Sequence, residues 1–515
     1  MPVADLVVRN ANVITMDPVQ PRAELVAVRD GKVWLVGSND LLGDVQGGHT
    51  RVIDCQGKTL VPGFNDSHCH IFSFIRKLLS IDLSSPAVRS IADIKEAIAL
   101  QISKTPPGQW ITATDYNEFY LAEKRHPNRW DIDEVAPDHP VVVSHRSLHA
   151  CVLNSRALAL AGINRETPEP PGTRIERDLT DGEPNGLLYE MLGIIREQVM
   201  PPWSEEDLNE GMRLANQQYL SHGLTSLQDA TVVNDYRRWQ TFRRFIDDGK
   251  FKSRIYMMFG PESASQFREA GLKFGAGDDR LRLGGLKVVP SNPGGQMYPP
   301  QPELNQMVLE MHQSGFPVAI HAVRDSTVEA VATAYEYAQS QLPAPDRRHR
   351  VEHCAECPPP LLERLRRLQV VIATQPPFFY YSGERYLSTV PAETLPHLYR
   401  IRSFFNAGLV VAGSSDSPIV SNNPLVGIYG AVTRITASGE HLQLEETISP
   451  EQALAMYTTN AAYASHEEGA KGSITPGKLA DMVVLNNDPT RVHPEMIKDI
   501  DIEMTISGGE VVWEA

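Results

Sequence analysis

Residues 61–70 read Val-Pro-Gly-Phe-Asn-Asp-Ser-His-Cys-His, an apolar run that ends in two histidines separated by one residue. Three further apolar runs end in the same way, in a histidine or an aspartate, at 317–321, 349–353 and 409–416. A closed barrel of parallel strands gathers the carboxyl ends of its strands at one face, so side chains far apart in sequence can meet there. The four runs therefore predict a barrel whose strand ends share one metal site.

The central part of the chain alternates strand-like runs with segments of helical periodicity, which is typical of a parallel α/β sheet. A cap at Ser204, with Gly223 beyond the apolar run that follows, predicts one helix, and the capping box of Ser449 and Gln452 predicts the start of another. Eight strands are predicted, the number that closes a barrel. They lie near 58–64, 224–229, 254–259, 283–289, 317–321, 349–353, 369–375 and 409–415.

Both ends of the chain consist instead of short alternating strands. We expect residues 1–60 and 470–515 to form one β-sandwich domain, and residues 61–469 to form the barrel. The stretch 72–203 is too long for an ordinary connection, so we expect an inserted subdomain that covers the barrel mouth. The predicted fold class is therefore α/β, a (β/α)8 TIM barrel with a terminal β-sandwich and a large insertion after strand 1.

The composition favours a large enzyme with a small-molecule substrate. A chain of 515 residues is long enough for about two to four structural units. Its net charge of −16, without a basic cluster, argues against nucleic-acid and anionic-membrane partners. We expect a cytoplasmic protein, because no secretory signal is visible and the five scattered cysteines, including the lone pair Cys354 and Cys357, are typical of reduced thiols.

The histidines and the aspartate at the strand ends are the candidate metal ligands. His68 and His70 flank one residue on an extended chain, so both imidazoles point to one side and can hold one ion. His321 and His353 end predicted strands 5 and 6, where a lone histidine would otherwise be a structural residue. Asp416 ends predicted strand 8, and the alternative for this residue is a helix cap or a turn.

Lys287 lies inside predicted strand 4, between apolar residues. A lysine buried in such a strand is costly unless its charge is neutralised or paired. Carbamylation by carbon dioxide would convert its amine into an anionic oxygen ligand that is able to bridge two ions. We therefore include Lys287 among the candidate ligands.

Together, these segments resemble the amidohydrolase superfamily, and within it the amidohydrolase-3 group that is typified by N-substituted formamide deformylase. The resemblance covers essentially the whole chain and is carried by residues 61–70, 149–158, 182–190, 321–325, 413–418 and 472–481. One departure follows Lys287: relatives usually continue with an Asp-Gly pair, whereas this chain has Val288, Val289 and the Pro- and Gly-rich stretch 290–295. The loop on the substrate side is therefore expected to differ from that of the relatives.

The resemblance implies that the four strand-end histidines bind one or two divalent ions, with Lys287 as a bridge. Zinc suits neutral imidazoles and carboxylates best, although iron, manganese and cobalt stay open. The resemblance further implies that Asp416 contacts the attacking water and serves as base and then as acid. His149, from the insertion, would help to polarise the substrate carbonyl, and a homodimer is expected from the same resemblance.

Four residues are candidate substrate contacts, each with a structural role as the alternative: Arg324, Gln375, Glu190 and Trp110. Arg434 is a further candidate of the same kind. The predicted function is hydrolysis of a carbon–nitrogen amide-type bond, N-formyl or N-acyl, in a small molecule by metal-activated water. A deaminase or cyclic-amide hydrolase is the second hypothesis, and a metal-binding barrel without catalysis is the third.

Overall fold

The computed structural model describes residues 3–85, 87–291 and 297–515. Its centre is an eight-stranded parallel sheet in which sequential strands are neighbours, so the sheet follows the chain. We number these strands β1 to β8: Phe64–Cys69, Leu224–Asp229, Arg254–Phe259, Leu281–Val288, Val318–Ala322, Arg350–His353, Val371–Thr374 and Val410–Gly413. Their side chains are almost entirely buried, as both faces of a parallel sheet require.

Backbone hydrogen bonds between β1 and the segment after β8 join the two edges of this sheet. The amide of Asp416 donates to the carbonyl of His68 at 2.9 Å, and the amide of His70 donates to the carbonyl of Ser417 at 2.8 Å. The Ser67 hydroxyl also donates to the Gly413 carbonyl at 2.8 Å. The parallel sheet is therefore nearly closed into a barrel.

Helices alternate with the strands, as predicted. Ser204 and Ser449 both accept hydrogen bonds from the first turns of the helices that they precede, and Gln452 completes a capping box with Ser449. The helices that precede or follow the barrel strands are Glu205–Ser221, Tyr236–Asp247, Ala264–Glu269, Gln301–Gln313, Asp325–Gln341, Pro359–Leu368, Pro377–Thr389, Ile401–Asn406, Pro424–Thr433, Pro450–Met456 and Thr459–Ala464.

The first strand prediction, 58–64, was wrong, because this segment is divided between two sheets. Thr59–Pro62 pairs antiparallel with Met482–Leu485, whereas Phe64–Cys69 pairs parallel with β2. Gly63 lies at the transition, and its amide donates to the Asp481 carbonyl at 2.8 Å. The apolar run is continuous in sequence, so hydrophobicity alone does not show where one strand ends and the next begins.

Four strands within residues 6–54 form one smaller sheet, and both ends of the chain contribute strands to a second. One sheet has the strand order Lys32–Gly37, Leu25–Arg29, Leu6–Arg9 and Arg51–Asp54. The other has the order Glu510–Glu514, Ile502–Ser507, Met482–Leu485, Thr59–Pro62, Asn12–Ile14 and Arg22–Ala23. Buried residues of both sheets share one hydrophobic cluster, with Val8 and Val26 from the first and Leu60 and Val484 from the second.

The chain divides into two compact units. The first is Met1–Ile71, Ala215–Val289 and Leu304–Ala515, and the second is Phe72–Leu214 with Pro290–Glu303. The second unit contains a six-stranded sheet with the order Arg174–Arg177, Pro184–Tyr189, Ala150–Leu153, Val141–His145, Ile111–Tyr116 and Ile81–Asp82. Its helices include Ile91–Ile102, Arg129–Asp133 and Ser155–Leu160. The departure expected after strand 4 falls partly on residues 292–296, which lie outside the described residues.

Candidate metal centre

The carboxyl end of β1 and the segment after β8 bring three metal-binding side chains together. His68, His70 and Asp416 each offer a ligand atom, and these atoms all lie within 4.8 Å of one another. Asp416 Oδ1 is 3.1 Å from His70 Nε2 and 3.5 Å from His68 Nε2. Two imidazole nitrogens and a carboxylate at this spacing form a donor set suited to a divalent ion such as zinc.

The backbone explains how these side chains come to face one another. His68 on β1 and His70 directly after it point to one side, while the Cys69 thiol points away and donates to the Gln228 carbonyl at 3.6 Å. Asp416 has a φ of 56°, in the left-handed region that aspartate tolerates better than most residues. A residue held in this region turns the chain abruptly, so the carboxylate faces the imidazoles at the point where the barrel closes.

The predicted ligands on strands β5 and β6 lie beside this group. The ring of His353 lies 5.0 Å from that of His68 and 4.4 Å from that of His321. His353 Nδ1 is 4.0 Å from Asp416 Oδ2. The structure therefore brings all four strand-end histidines and Asp416 into one cluster.

Two of these imidazoles have a polar partner at Nδ1 and approach Asp416 with Nε2. Nδ1 of His68 contacts the Glu352 carboxylate, and Nδ1 of His70 lies 3.0 Å from the Thr231 hydroxyl. Such outer partners fix the tautomer and ring orientation of a metal-binding histidine. The partner of His68 is charged and that of His70 is neutral, so the two histidines are supported differently.

Gln375 orients the third imidazole. Its side-chain oxygen lies 2.8 Å from His353 Nδ1, and its nitrogen donates to the Ser414 hydroxyl at 3.0 Å. The residue is fully buried, and both ends of its amide are engaged. Gln375 therefore joins His353 to Ser414, and its contact with the substrate stays a prediction.

Burial sets the charge state of the cluster. It lowers the pKa of His68 and of His353, which favours the neutral imidazoles that metals require. Burial raises the pKa of Asp416, but the hydrogen bond with His70 and the neighbouring imidazoles outweigh it and hold the pKa below its usual range. The site therefore presents neutral nitrogen donors beside an ionised carboxylate.

Lys287 is buried in β4, as its apolar surroundings predicted. Burial lowers its pKa to about 8, against the opposing influence of the Glu352 and Asp416 carboxylates. A lysine with this pKa is neutral in about a tenth of molecules at pH 7. The neutral amine is the form that reacts with carbon dioxide.

Two buried acids that the sequence analysis passed over support the cluster. Glu352 contacts His68, and Asp66 accepts hydrogen bonds from the Ser415 amide at 3.1 Å and from the Ser415 hydroxyl. Burial raises the pKa of Asp66 to about 6. The alternation of β1 could have revealed Asp66, which lies two residues before His68 on the same face.

Arg324 and Arg434 are the two remaining candidates in the first compact unit. Arg324 is exposed and precedes the helix Asp325–Gln341. Arg434 is fully buried, and its guanidinium donates to the carbonyls of Leu442 at 2.7 Å and Tyr399 at 2.9 Å, which makes it a structural residue.

Three candidates belong to the second compact unit. Nδ1 of His149 lies 2.8 Å from the Glu190 carboxylate, and both side chains are partly exposed. Trp110 packs against a hydrophobic cluster of that unit, and its contact with the substrate stays a prediction. A contribution of His149 or Glu190 to the reaction stays a prediction.

None of the helices in the described part of the chain combines the length and the apolar character that a bilayer span requires.

The family profile and the relatives of known sequence indicate the same family. The profile of the amidohydrolase family matches residues 51–513. The chain is 30% identical to N-substituted formamide deformylase of Arthrobacter pascens over 99% of this chain and 98% of the relative. It is 28% identical to the putative amidohydrolase YtcJ of Bacillus subtilis over 98% of each. Among solved structures, an uncharacterized metal-dependent hydrolase from Pyrococcus horikoshii OT3 superposes with a TM-score of 0.75 at 22% identity, covering 95% of this chain and 99% of the other.

Proposed function

Because the chain belongs to the amidohydrolase family, we propose that it hydrolyses a carbon–nitrogen amide-type bond, N-formyl or N-acyl, in a small molecule. The observation that carries this proposal is the cluster of His68, His70 and Asp416, whose ligand atoms lie within 4.8 Å of one another. The relative named N-substituted formamide deformylase supports an amide-type substrate, because the similarity extends over 99% of this chain.

The residues that would hold the metal are His68, His70, His321, His353 and Asp416, with zinc as the ion that suits them best. A divalent ion bound there would supply water whose pKa is lowered from about 15.7 to about 7. The neutral imidazoles keep their Nε2 lone pairs available, because the Nδ1 atoms of His68 and His353 have partners in Glu352 and Gln375. The donor set therefore fits the group that the family implies.

Asp416 is the proposed general base and acid. Its low pKa keeps the carboxylate ionised at neutral pH, so it can accept a proton from the attacking water. The same carboxyl would then transfer that proton to the leaving nitrogen, which completes hydrolysis to an amine and a carboxylic acid. Its left-handed backbone and the hydrogen bond from its amide to His68 hold it in place for both transfers.

Carbamylation of Lys287 is the finer part of the proposal. The neutral amine would add to carbon dioxide, forming a nitrogen–carbon bond and releasing one proton, so that an anionic carboxylate replaces the amine. The burial of Lys287 and its pKa of about 8 support this reaction. A carbonyl resonance that appears with carbon-13-labelled bicarbonate in the wild type, and is absent in Lys287→Arg, would support it. The same resonance in both proteins would contradict it.

Three further assignments belong to the proposal. The hydrogen-bonded pair of His149 and Glu190 would help to polarise the carbonyl, and Arg324 would contact polar groups of the substrate. The two terminal sheets would form one β-sandwich domain, for which their shared hydrophobic cluster is the support. A homodimer stays a prediction.

Elemental analysis combined with a screen of N-formyl and N-acyl amines tests the function. We expect one or two divalent ions per chain and metal-dependent release of amine together with the carboxylic acid. The double variant His68→Ala/His70→Ala should lose both the metal and the turnover. The matched control is His49→Ala/His441→Ala, which removes two exposed histidines and should retain both.

Full turnover by the metal-free double variant would contradict the proposal. Release of ammonia alone would instead identify a deaminase, because amide cleavage yields an amine and a carboxylic acid.

A further inference from the structure

Glu352 belongs to a buried polar network below the metal cluster. The side chain is fully buried on β6, and both of its oxygens accept hydrogen bonds from one arginine. Arg350 Nε donates to Oε1 at 2.7 Å and Arg350 Nη2 donates to Oε2 at 3.1 Å, while Oε2 also contacts Nδ1 of His68. The carboxylate therefore joins a buried guanidinium to the imidazole of a candidate ligand.

Arg350 is itself fixed by the barrel. Its guanidinium donates to the Ser67 carbonyl at 2.7 Å and to the Gln228 side-chain oxygen at 2.5 Å. The Gln228 nitrogen donates in turn to the Ala461 carbonyl at 2.7 Å. Strands β1, β2 and β6 and the helix Thr459–Ala464 thus hold the Arg350–Glu352 pair in one position.

We infer that Glu352 is a positioning residue, which selects the tautomer of His68 that carries its proton on Nδ1 and leaves Nε2 free for the metal. A carboxylate can only accept, so the atom that faces it must be the Nδ1–H group. This inference rests on the proposed function only in requiring that a divalent ion binds the cluster.

The substitution Glu352→Gln makes the inference testable, because Arg350 would orient the new amide. The guanidinium has only donors and holds Oε1 at 2.7 Å more closely than Oε2 at 3.1 Å, so the amide oxygen takes the place of Oε1 and the amide nitrogen takes the place of Oε2 beside His68. That nitrogen donates to Nδ1 and favours the opposite tautomer, with the proton on Nε2. A nearly isosteric change would therefore block the atom that binds the metal.

The matched control is Asp481→Asn. Asp481 is also a buried carboxylate paired with an arginine, since Arg254 donates to it at 2.6 Å and 2.9 Å. It lies just before the strand Met482–Leu485 of a terminal sheet, and its carboxylate also accepts a hydrogen bond from the Gly508 amide at 2.8 Å. Loss of a buried ion pair is thus common to both variants, whereas contact with His68 belongs to Glu352 alone.

The experiment measures the affinity of the purified full chain for Zn²⁺ and Co²⁺ by competition with a chelator. We expect Glu352→Gln to bind each ion about 10- to 100-fold more weakly than the wild type, the usual effect of removing an outer partner. Asp481→Asn should bind within about twofold of the wild type, by the additivity of distant sites. Nitrogen-15 spectra of the metal-free proteins should show the His68 proton on Nδ1 in the wild type and on Nε2 in Glu352→Gln.

If Glu352→Gln does not fold, the double variant Arg350→Gln/Glu352→Gln removes both charges and should show the same loss of affinity. Wild-type affinity in a Glu352 variant, or an equal loss in Asp481→Asn, would overturn the inference. A wild-type chain that binds neither ion would overturn the proposed function instead, so the two failures are distinguishable.

Discussion

Gly63 is the point at which the chain passes from a terminal sheet into the barrel strand that carries His68 and His70. A Cβ atom at this position would lie 2.2 Å from Thr225 Oγ1 and 2.6 Å from Thr225 Cγ2. Thr225 is buried in β2, and its hydroxyl donates to the Phe64 carbonyl at 3.4 Å. The substitution Gly63→Ala therefore requires β1 and β2 to separate, or the Thr225 side chain to rotate, at the start of the segment that carries His68 and His70.

The expected magnitude follows from these distances. Nonbonded atoms pack at about 3.5 to 4.0 Å, so the added methyl requires a displacement of about 1 Å or a rotation of a stiff β-branched side chain. Overpacking of this kind typically costs about 1–3 kcal/mol in the free energy of unfolding. A displacement of about 1 Å that reaches the metal cluster would lower kcat/KM by about 100-fold.

The assay is a double-mutant cycle of Gly63→Ala and Thr225→Gly, read by the urea midpoint and by Zn²⁺ affinity. Gly63→Ala should lower both, and the double variant should recover part of each loss, because the new methyl occupies the space that Thr225 leaves. Gly43→Ala is the matched control, since a Cβ at Gly43 meets nothing within 4 Å. An unchanged midpoint and affinity in Gly63→Ala, or strictly additive losses in the double variant, would refute the reasoning.

Three other outcomes are expected. Asp416→Asn should lower kcat by about 10²- to 10⁴-fold on an amide substrate from the screen, because it removes the general base, and KM should change little. An unchanged kcat in steady-state kinetics would contradict this prediction. Burial raises the pKa of Asp481, but the neighbouring Arg254 outweighs burial and lowers this pKa below the ordinary 3.8. Ionised Asp481 therefore stabilises the fold above pH 3.8, and this stabilisation is lost as the pH falls through the pKa of the folded state. Urea midpoints of the wild type and Asp481→Asn should therefore converge in acid, and a constant difference would exclude this. Removal of the metal by a chelator should lower the free energy of unfolding by about 2.7 kcal/mol, compared with protein at a free-metal concentration of 100 times Kd. The thermal unfolding of His68→Ala/His70→Ala should not change when the chelator is added.

Most of the barrel could be predicted because its strands are buried on both faces. The segments 224–229 and 254–259 are continuous buried runs, and the structure has strands with these bounds. The strand prediction for 58–64 was wrong although it used the same criterion, a continuous apolar run, since Leu60, Val61 and Phe64 are all apolar. Only the pairing of Thr59–Pro62 with Met482–Leu485, far along the chain, divides the run at Gly63.

The candidate ligands could be proposed from sequence because each lies at the end of an apolar run. Their partners could not, since those contacts depend on the register across the closed barrel. Glu352 precedes His353 in a motif that stood out, yet its contact is with His68 on β1. The charges of Arg350 and Glu352, separated by one apolar residue on a buried strand, were the available signal of an internal ion pair.

Closure of the barrel and assembly of the metal cluster depend on the same residues. The amide of Asp416 bonds the carbonyl of His68, and the amide of His70 bonds the carbonyl of Ser417, so the backbones of three candidate ligands form the junction between β1 and β8. Asp66 binds Ser415 across the same junction. A separation of these strand edges would therefore move both histidines away from Asp416 at once. Conversely, an ion held by both sides would join the two edges of the sheet, so the cluster stabilises the barrel at the one place where its strands are not paired in sequence order.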